Sequence, residues 1–259
     1  MGTNISKSVS SIVGKFAVFR RVIGRSSDLL GGRFGKVTDP RRSTNSATPI
    51  APTVAPTVGW KAAYAVLGAM IVTIPLGLGF FVYEGVFALL SDLGALIVGL
   101  ALAPLVLSLY RLHTGDPLNE PVFGLGVVTV AGICLGSFGL VGMYLLSLNP
   151  EIYGTTFLGI QFLGWILLGF WLLGTGVLGR RSRTVQARTA WTAIVAGIAA
   201  AGGMVTLTYS YAVGSFTLLF PLFMLVFGVG FLLWAFWLGG DLRAMASGDA
   251  TALGRAVDS

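Results

Sequence analysis

The hydrophobic residues of this chain fall into six long stretches, and none of the stretches contains Asp, Glu, Lys, Arg or His. A helix needs about 20 apolar residues to cross the hydrocarbon core of a bilayer, and a backbone in lipid must satisfy its own hydrogen bonds. The pattern therefore predicts an all-α integral membrane protein with six transmembrane helices. The predicted spans are 62–83, 93–110, 122–148, 156–179, 190–212 and 216–238.

The composition agrees with this interpretation. Apolar residues make up 55% of the 259 residues and charged residues only 10%, and the mean hydropathy is +0.85. A soluble domain carries about 25% charged residues, so this chain does not have enough of them to cover a surface in water. A soluble globular fold is excluded.

The basic residues are confined to alternate connections between the stretches. Ten of the 17 Lys and Arg precede the first span, and the others follow the second, fourth and sixth spans. Cytoplasmic connections are enriched in Lys and Arg, so we expect both termini to be cytoplasmic. The absence of lysine after Lys61 favours a prokaryotic cytoplasmic membrane. The alternative is the mitochondrial inner membrane, with the termini in the matrix.

The spans can also be paired into three αα hairpins, because each even-numbered span is followed closely by arginine. A diverged threefold repeat of a two-helix unit would give this spacing. A chance similarity between apolar stretches of low complexity would give it as well.

The first 42 residues form a basic arm with a helical pattern. Apolar residues from Ile5 to Ile23 recur at steps of three and four, which predicts an amphipathic helix. We expect it to lie on the inner surface of the membrane and to bind anionic lipid headgroups. A transit peptide, a myristoylated start and an unstructured basic tail are alternatives. The basic residues that would contact lipid are Lys7, Lys15, Arg20, Arg21 and Arg25.

Three further segments complete the predicted organisation. Residues 43–61 form a linker rich in Pro and Thr, with the doubled sequence Ala-Pro-Thr-Val, and an extended polyproline conformation is expected there. Residues 62–240 form the six-helix membrane domain, and residues 241–259 form a short cytoplasmic tail.

Few residues could carry chemistry. The chain has one histidine, His113, and one cysteine, Cys134, which excludes a disulfide within the chain and any site that needs two histidines. His113, Asp116 and Glu120 are spaced for one helix face, but Gly and Pro interrupt that segment. No hydrolase, zinc-protease or nucleotide-binding motif occurs. We therefore expect no enzymatic activity, no cofactor and no metal.

Acidic residues are rare near the spans. Glu84, Asp92 and Glu151 are the only acids predicted on the outer side, where we expect them to be solvated ends of loops. The alternative is that they gather cations at the mouth of a pore. Ionisable residues inside a membrane usually mark ion pathways and proton relays. Their absence from the predicted spans argues against ion-coupled transport by this chain alone.

Two features inside the spans bear on packing and function. Gly132, Gly136 and Gly139 form a small-residue face of the GxxxG type, which allows close helix packing. Gln161 is the most polar side chain near the middle of a span. It can form an interhelical hydrogen bond, which needs no transport role, or it can line a polar path.

Two functions remain open at this point, and an enzyme that modifies lipid at the inner surface ranks third. The first is a non-enzymatic scaffold or accessory role, with the arm binding anionic lipid or a cytoplasmic partner. The alternative is a channel or facilitator for a small neutral or lipophilic solute. The expected partners are the lipid bilayer and either another protein or a second copy of the chain, and no nucleic acid. A cavity that reaches the centre of the bilayer would favour the conduit over the scaffold.

Overall fold

The computed structural model describes residues 54–80, 86–213 and 219–248, and these residues form six α-helices. All six are long and apolar enough to cross a membrane. This confirms the predicted all-α membrane fold. The helices are α1 (Val54–Phe80), α2 (Val86–Leu112), α3 (Asn119–Leu145), α4 (Pro150–Ser182), α5 (Ala187–Val213) and α6 (Leu219–Ser247).

The helices form a closed ring. Each helix packs against the next one along the chain, and α6 returns to pack against α1. The pairs α1–α2 and α3–α4 make the most extensive contacts, and both are hairpins of consecutive helices. Every helix therefore has two neighbours and presents one side to the interior of the ring and another to lipid.

Arginine side chains gather at one end of the ring, which we call the basic end. The guanidinium of Arg180 lies 4.2 Å from the ring centre of Trp191, that of Arg188 lies 5.5 Å from Trp237, and that of Arg243 lies 5.9 Å from Trp60. These contacts link three segments of the basic end: the start of α1, the α4–α5 connection and the last turns of α6. The membrane side that this end faces stays a prediction.

The helices extend beyond the predicted spans, because hydropathy marks only the part of a helix that lies in hydrocarbon. α1 begins at Val54, so the second Ala-Pro-Thr-Val is helical. Its Pro56 lies in the first turn, where a helix tolerates proline. α2 begins at Val86 and α6 continues to Ser247. Asp92 and Asp241 therefore lie within helices, although both are outside the apolar stretches from which the spans were predicted.

Large side chains fill the half of the ring next to the basic end, which we call the packed half. Trp171 of α4 is 1% exposed and meets Trp234 of α6 edge to face, with 5.7 Å between ring centres. The ring of Phe231 lies 5.4 Å from that of Trp234, with 39° between the two planes. Gly126 of α3 leaves space for Trp171, because a Cβ there would lie 2.6 Å from Nε1 of that ring. Aromatic rings of α4 and α6, the two neighbours of α5, thus meet inside the ring.

The predicted arm, most of the linker and the end of the tail lie outside the described residues, as does Glu84. The structure therefore does not test the amphipathic helix.

Candidate functional site

A cavity of about 550 Å³ lies at the opposite end of the ring, in what we call the cavity half. Its wall takes residues from the C-terminal parts of α1, α3 and α5 and from the N-terminal parts of α2, α4 and α6. All six helices contribute. This is the arrangement expected of helices that alternate in direction around a ring.

The wall is predominantly apolar, and methionine and aromatic side chains are its most frequent large residues. Four of the six methionines of the chain line it: Met70, Met143, Met204 and Met224. Aromatic rings come from three helices, α3, α4 and α6: Tyr144, Phe162, Trp165, Phe220 and Phe227. Methionine is flexible and polarisable, so it adapts to ligands of different shapes.

One polar cluster interrupts the apolar wall. The side-chain amide of Gln161 on α4 donates to Oδ1 of Asp92 on α2 over 3.0 Å and to Oγ of Ser137 on α3 over 2.9 Å. Gln161 is only 8% exposed. Both of its amide hydrogens thus have acceptors, and the cluster joins three helices at the surface of the cavity.

Asp92 is the residue on which the sequence-based interpretation was wrong. It was expected at a solvated loop end, but it lies in the second turn of α2 and lines the cavity. Among the described residues, the one ion pair within 4.0 Å joins Arg181 and Asp116 at the basic end. Asp92 therefore has a hydrogen-bond donor in Gln161 but no cationic partner within the described part of the chain.

The glycine face positions Gln161. An ideal Cβ on Gly132 would lie 3.0 Å from Cα of Gly164, and one on Gly136 would lie 2.5 Å from both Cβ and the backbone N of Gln161. A Cβ on Gly139 would overlap the ring of Phe157. The glycine face thus packs against α4 of the same chain. Because α3 and α4 approach so closely, Ser137 comes within hydrogen-bonding distance of Gln161.

The other candidate residues lie far from the cavity, at the basic end. His113 follows α2, and its Nδ1 lies 2.8 Å from the carbonyl oxygen of Leu109. A carbonyl oxygen can only accept, so Nδ1 donates, and in the neutral ring Nε2 accepts from the hydroxyl of Thr184 over 2.9 Å. Burial lowers the pKa of His113 below its ordinary value, against smaller opposing effects of the Leu109 carbonyl and Asp116.

Two acids at the basic end, Asp116 and Asp241, have structural partners. Asp116 pairs with Arg181 over 3.4 Å, and Glu120 is exposed in the first turn of α3. Oδ2 of Asp241 accepts from the backbone N of Gln186 over 3.0 Å and from the hydroxyl of Thr189 over 2.8 Å. Asp241 thus caps the start of α5 from α6. Within the described ranges, no three His, Cys, Asp or Glu side chains come together as metal ligands.

The predicted lipid-contacting residues Lys7, Lys15, Arg20, Arg21 and Arg25 lie outside the described residues. Comparison with protein-family models finds no match, and comparisons with curated proteins and with solved structures find none either. The geometry of the cavity is therefore the basis for a functional proposal.

Proposed function

We propose that this protein binds a small lipophilic solute in the cavity half and serves as a facilitator or carrier for it in the membrane. The observation that supports this most strongly is the cavity itself, about 550 Å³ in volume and lined by all six helices. Ligand sites commonly have volumes of about 300 to 1,000 Å³, with apolar walls and a few placed polar groups. The cavity fits that description, with Asp92 and Gln161 as the placed polar groups.

A binding site is favoured over an open pore. Between the cavity and the basic end, the interior of the ring is occupied by Trp171, Phe231 and Trp234, each at most 2% exposed. A solute would therefore enter from the cavity end or from the bilayer, and passage to the basic end would require these rings to move. Applied to the basic end, the positive-inside rule places the termini in the cytoplasm and the cavity in the outer half of the membrane.

The scaffold role stays a prediction, and so do the absence of enzymatic activity and the binding of anionic lipid by the arm. A scaffold needs no internal space, whereas packed protein interiors contain few voids larger than a water molecule. The size of the cavity therefore favours the solute-binding function.

A pair of matched substitutions tests the proposal. Ala95 of α2 lines the cavity, whereas Ala103 of the same helix is exposed on the outside of the ring. The protein would be placed in phosphatidylcholine nanodiscs and titrated with 4-phenylbutan-1-ol by calorimetry, with empty nanodiscs as the baseline. We expect saturable binding to the wild type. Ala95→Phe should weaken it about tenfold or more, since the new ring takes the space of the ligand.

Ala103→Phe should bind the alcohol as the wild type does. No saturable binding above empty nanodiscs would contradict the proposed function. Equal losses in the two variants would also contradict it, because the effect would then not depend on the cavity.

A further inference from the structure

We infer that the solute taken by this cavity is an amphiphilic amine, whose protonated nitrogen binds the carboxylate of Asp92 while its apolar body fills the rest of the space. The inference rests on the proposed function and adds the chemical class of the ligand. It comes from the contrast between one acidic side chain and an otherwise uncharged wall.

Asp92 is the only charged residue among the described residues that line the cavity. Asp92 is half-buried. An ionised carboxylate that is partly removed from water needs compensation, and in a membrane-spanning helix a nearby cation or a bound proton supplies it. No described Lys, Arg or His lies within 4.0 Å of Asp92. A cationic ligand would supply the compensation that the described part of the chain does not.

The hydrogen bonds around Asp92 leave room for such a ligand. Gln161 has two amide hydrogens, and they go to Oδ1 of Asp92 and to Oγ of Ser137. A carboxylate offers about four acceptor positions, so Asp92, which lines the cavity, keeps acceptor capacity beyond its bond from Gln161. Gln161 fixes the orientation of the carboxylate, and an ammonium group can donate to it without displacing Gln161.

The rest of the wall suits an ammonium group joined to an apolar body. The rings of Tyr144, Phe162 and Trp165 line the same cavity, and aromatic faces attract cations. The methionines offer an adaptable apolar surface. A hydrophilic cation such as a metal ion would gain little from this wall, whereas a compound with one amine and a hydrocarbon or aromatic body matches both parts.

A matched pair of ligands tests the inference. The compounds 4-phenylbutylamine and 4-phenylbutan-1-ol share an apolar body and differ in the polar group. Both would be titrated into the full-length protein in phosphatidylcholine nanodiscs, whose lipid has no net charge to collect the amine. We expect the wild type to bind the amine at least about tenfold more tightly than the alcohol, because hydrogen bonds to a carboxylate are stronger when the donor is charged.

Asp92→Asn should reduce that preference to within about twofold, since the amide keeps the shape and loses the charge. Binding of the alcohol should persist in this variant, and its thermal melting curve would show that it folds. Glu120→Gln, which removes an exposed acid at the basic end, far from the cavity, should keep the preference of the wild type.

Equal affinities of the two compounds for the wild type would overturn the inference, and so would a preference that survives in Asp92→Asn. Tighter binding of the ketone 4-phenylbutan-2-one than of the amine would also overturn it, by indicating that Asp92 acts as a protonated donor. In each of these cases, binding that is lost in Ala95→Phe would leave the proposed function standing. If none of the compounds binds saturably, both proposals fail together.

Discussion

The two halves of this ring are built from the same six helices, yet one is filled and the other is hollow. In the packed half, α4 and α6 each direct a tryptophan to the centre, where Trp171 and Trp234 meet. In the cavity half, the wall includes the small residues Ala88, Ala95 and Ala200. The inward-facing rings of the packed half are in contact with each other, whereas the residues of the cavity half leave a space of about 550 Å³ between them.

The difference also separates stability from binding. Packing contacts contribute most where side chains are surrounded on all sides, as in the packed half. The cavity half lacks part of those contacts, and regions with few buried contacts open and rearrange most easily. We therefore expect the packed half to hold the ring together and the cavity half to adapt to a ligand.

The largest expected effect comes from truncating the same residue type in each half. Trp171 is 1% exposed in the packed half, while Trp165, on the same helix, is partly exposed and lines the cavity. Trp171→Ala should lower the free energy of unfolding by about 3 to 5 kcal/mol, as large-to-small changes in filled cores do. Trp165→Ala should cost about 1 kcal/mol, since one side of that ring already faces empty space. Titration with sodium dodecyl sulfate in mixed micelles would measure both.

Similar losses in the two variants would break the comparison, because the halves would then contribute equally to stability. The affinity for 4-phenylbutan-1-ol provides a second way to compare the two tryptophans. Trp165→Ala should alter its affinity more than any change at Trp171 that leaves the protein folded.

A smaller effect is expected on the glycine face of α3. Gly136→Ala would place a Cβ 2.5 Å from the backbone N of Gln161, so α3 and α4 would have to move apart. We expect a loss of about 1 to 3 kcal/mol in the free energy of unfolding, the usual cost of overpacking. The affinity for 4-phenylbutylamine should fall as well, because Gln161 would no longer hold Asp92 in place.

Gly142→Ala is the matched control on the same helix, where an added Cβ meets nothing within 4 Å. It should be neutral or stabilise the protein by up to about 1 kcal/mol, through helix propensity. A destabilisation equal to that of Gly136→Ala would show that the close approach to α4 is not the cause.

The number of helices and their membrane character could be predicted from sequence, because hydropathy over a span is a sum of many residues. The exact ends could not, since a helix continues beyond the hydrocarbon wherever its polar residues find partners. Asp92 lies directly before the apolar stretch that begins at residue 93. An acid within one turn of a predicted span is the signal that could have brought it into α2.

The partner of Asp92 was harder to foresee. Gln161 was singled out as the most polar residue in its span, with an interhelical hydrogen bond and a polar path as the two interpretations. Which helix it meets depends on the ring order and on how closely α3 approaches α4 at Gly136. The cavity was also beyond prediction, because it depends on which residues of all six helices face inward together.

The smallest expected effect concerns the contribution of His113, at the basic end, to the free energy of unfolding. His113 is buried and neutral there, with Leu109 accepting from one ring nitrogen and Thr184 donating to the other. Because burial lowers the pKa of His113 in the folded protein, the unfolded chain binds the proton first as the pH falls. This contribution to stability is complete above the ordinary histidine value of about 6.5 and is lost as the pH falls below it.

We therefore expect the free energy of unfolding of the wild type to decrease between about pH 7.5 and pH 5.5, on either side of the ordinary histidine pKa. His113→Gln should decrease less over the same range. Subtracting the two curves removes the contribution of the groups that are the same in both proteins. Ligand affinity in the cavity half should not respond to His113→Gln at either pH, because the filled packed half lies between the two sites. A parallel change in binding would mean that the two halves are coupled, and the division between a stable half and an adaptable half would have to be abandoned.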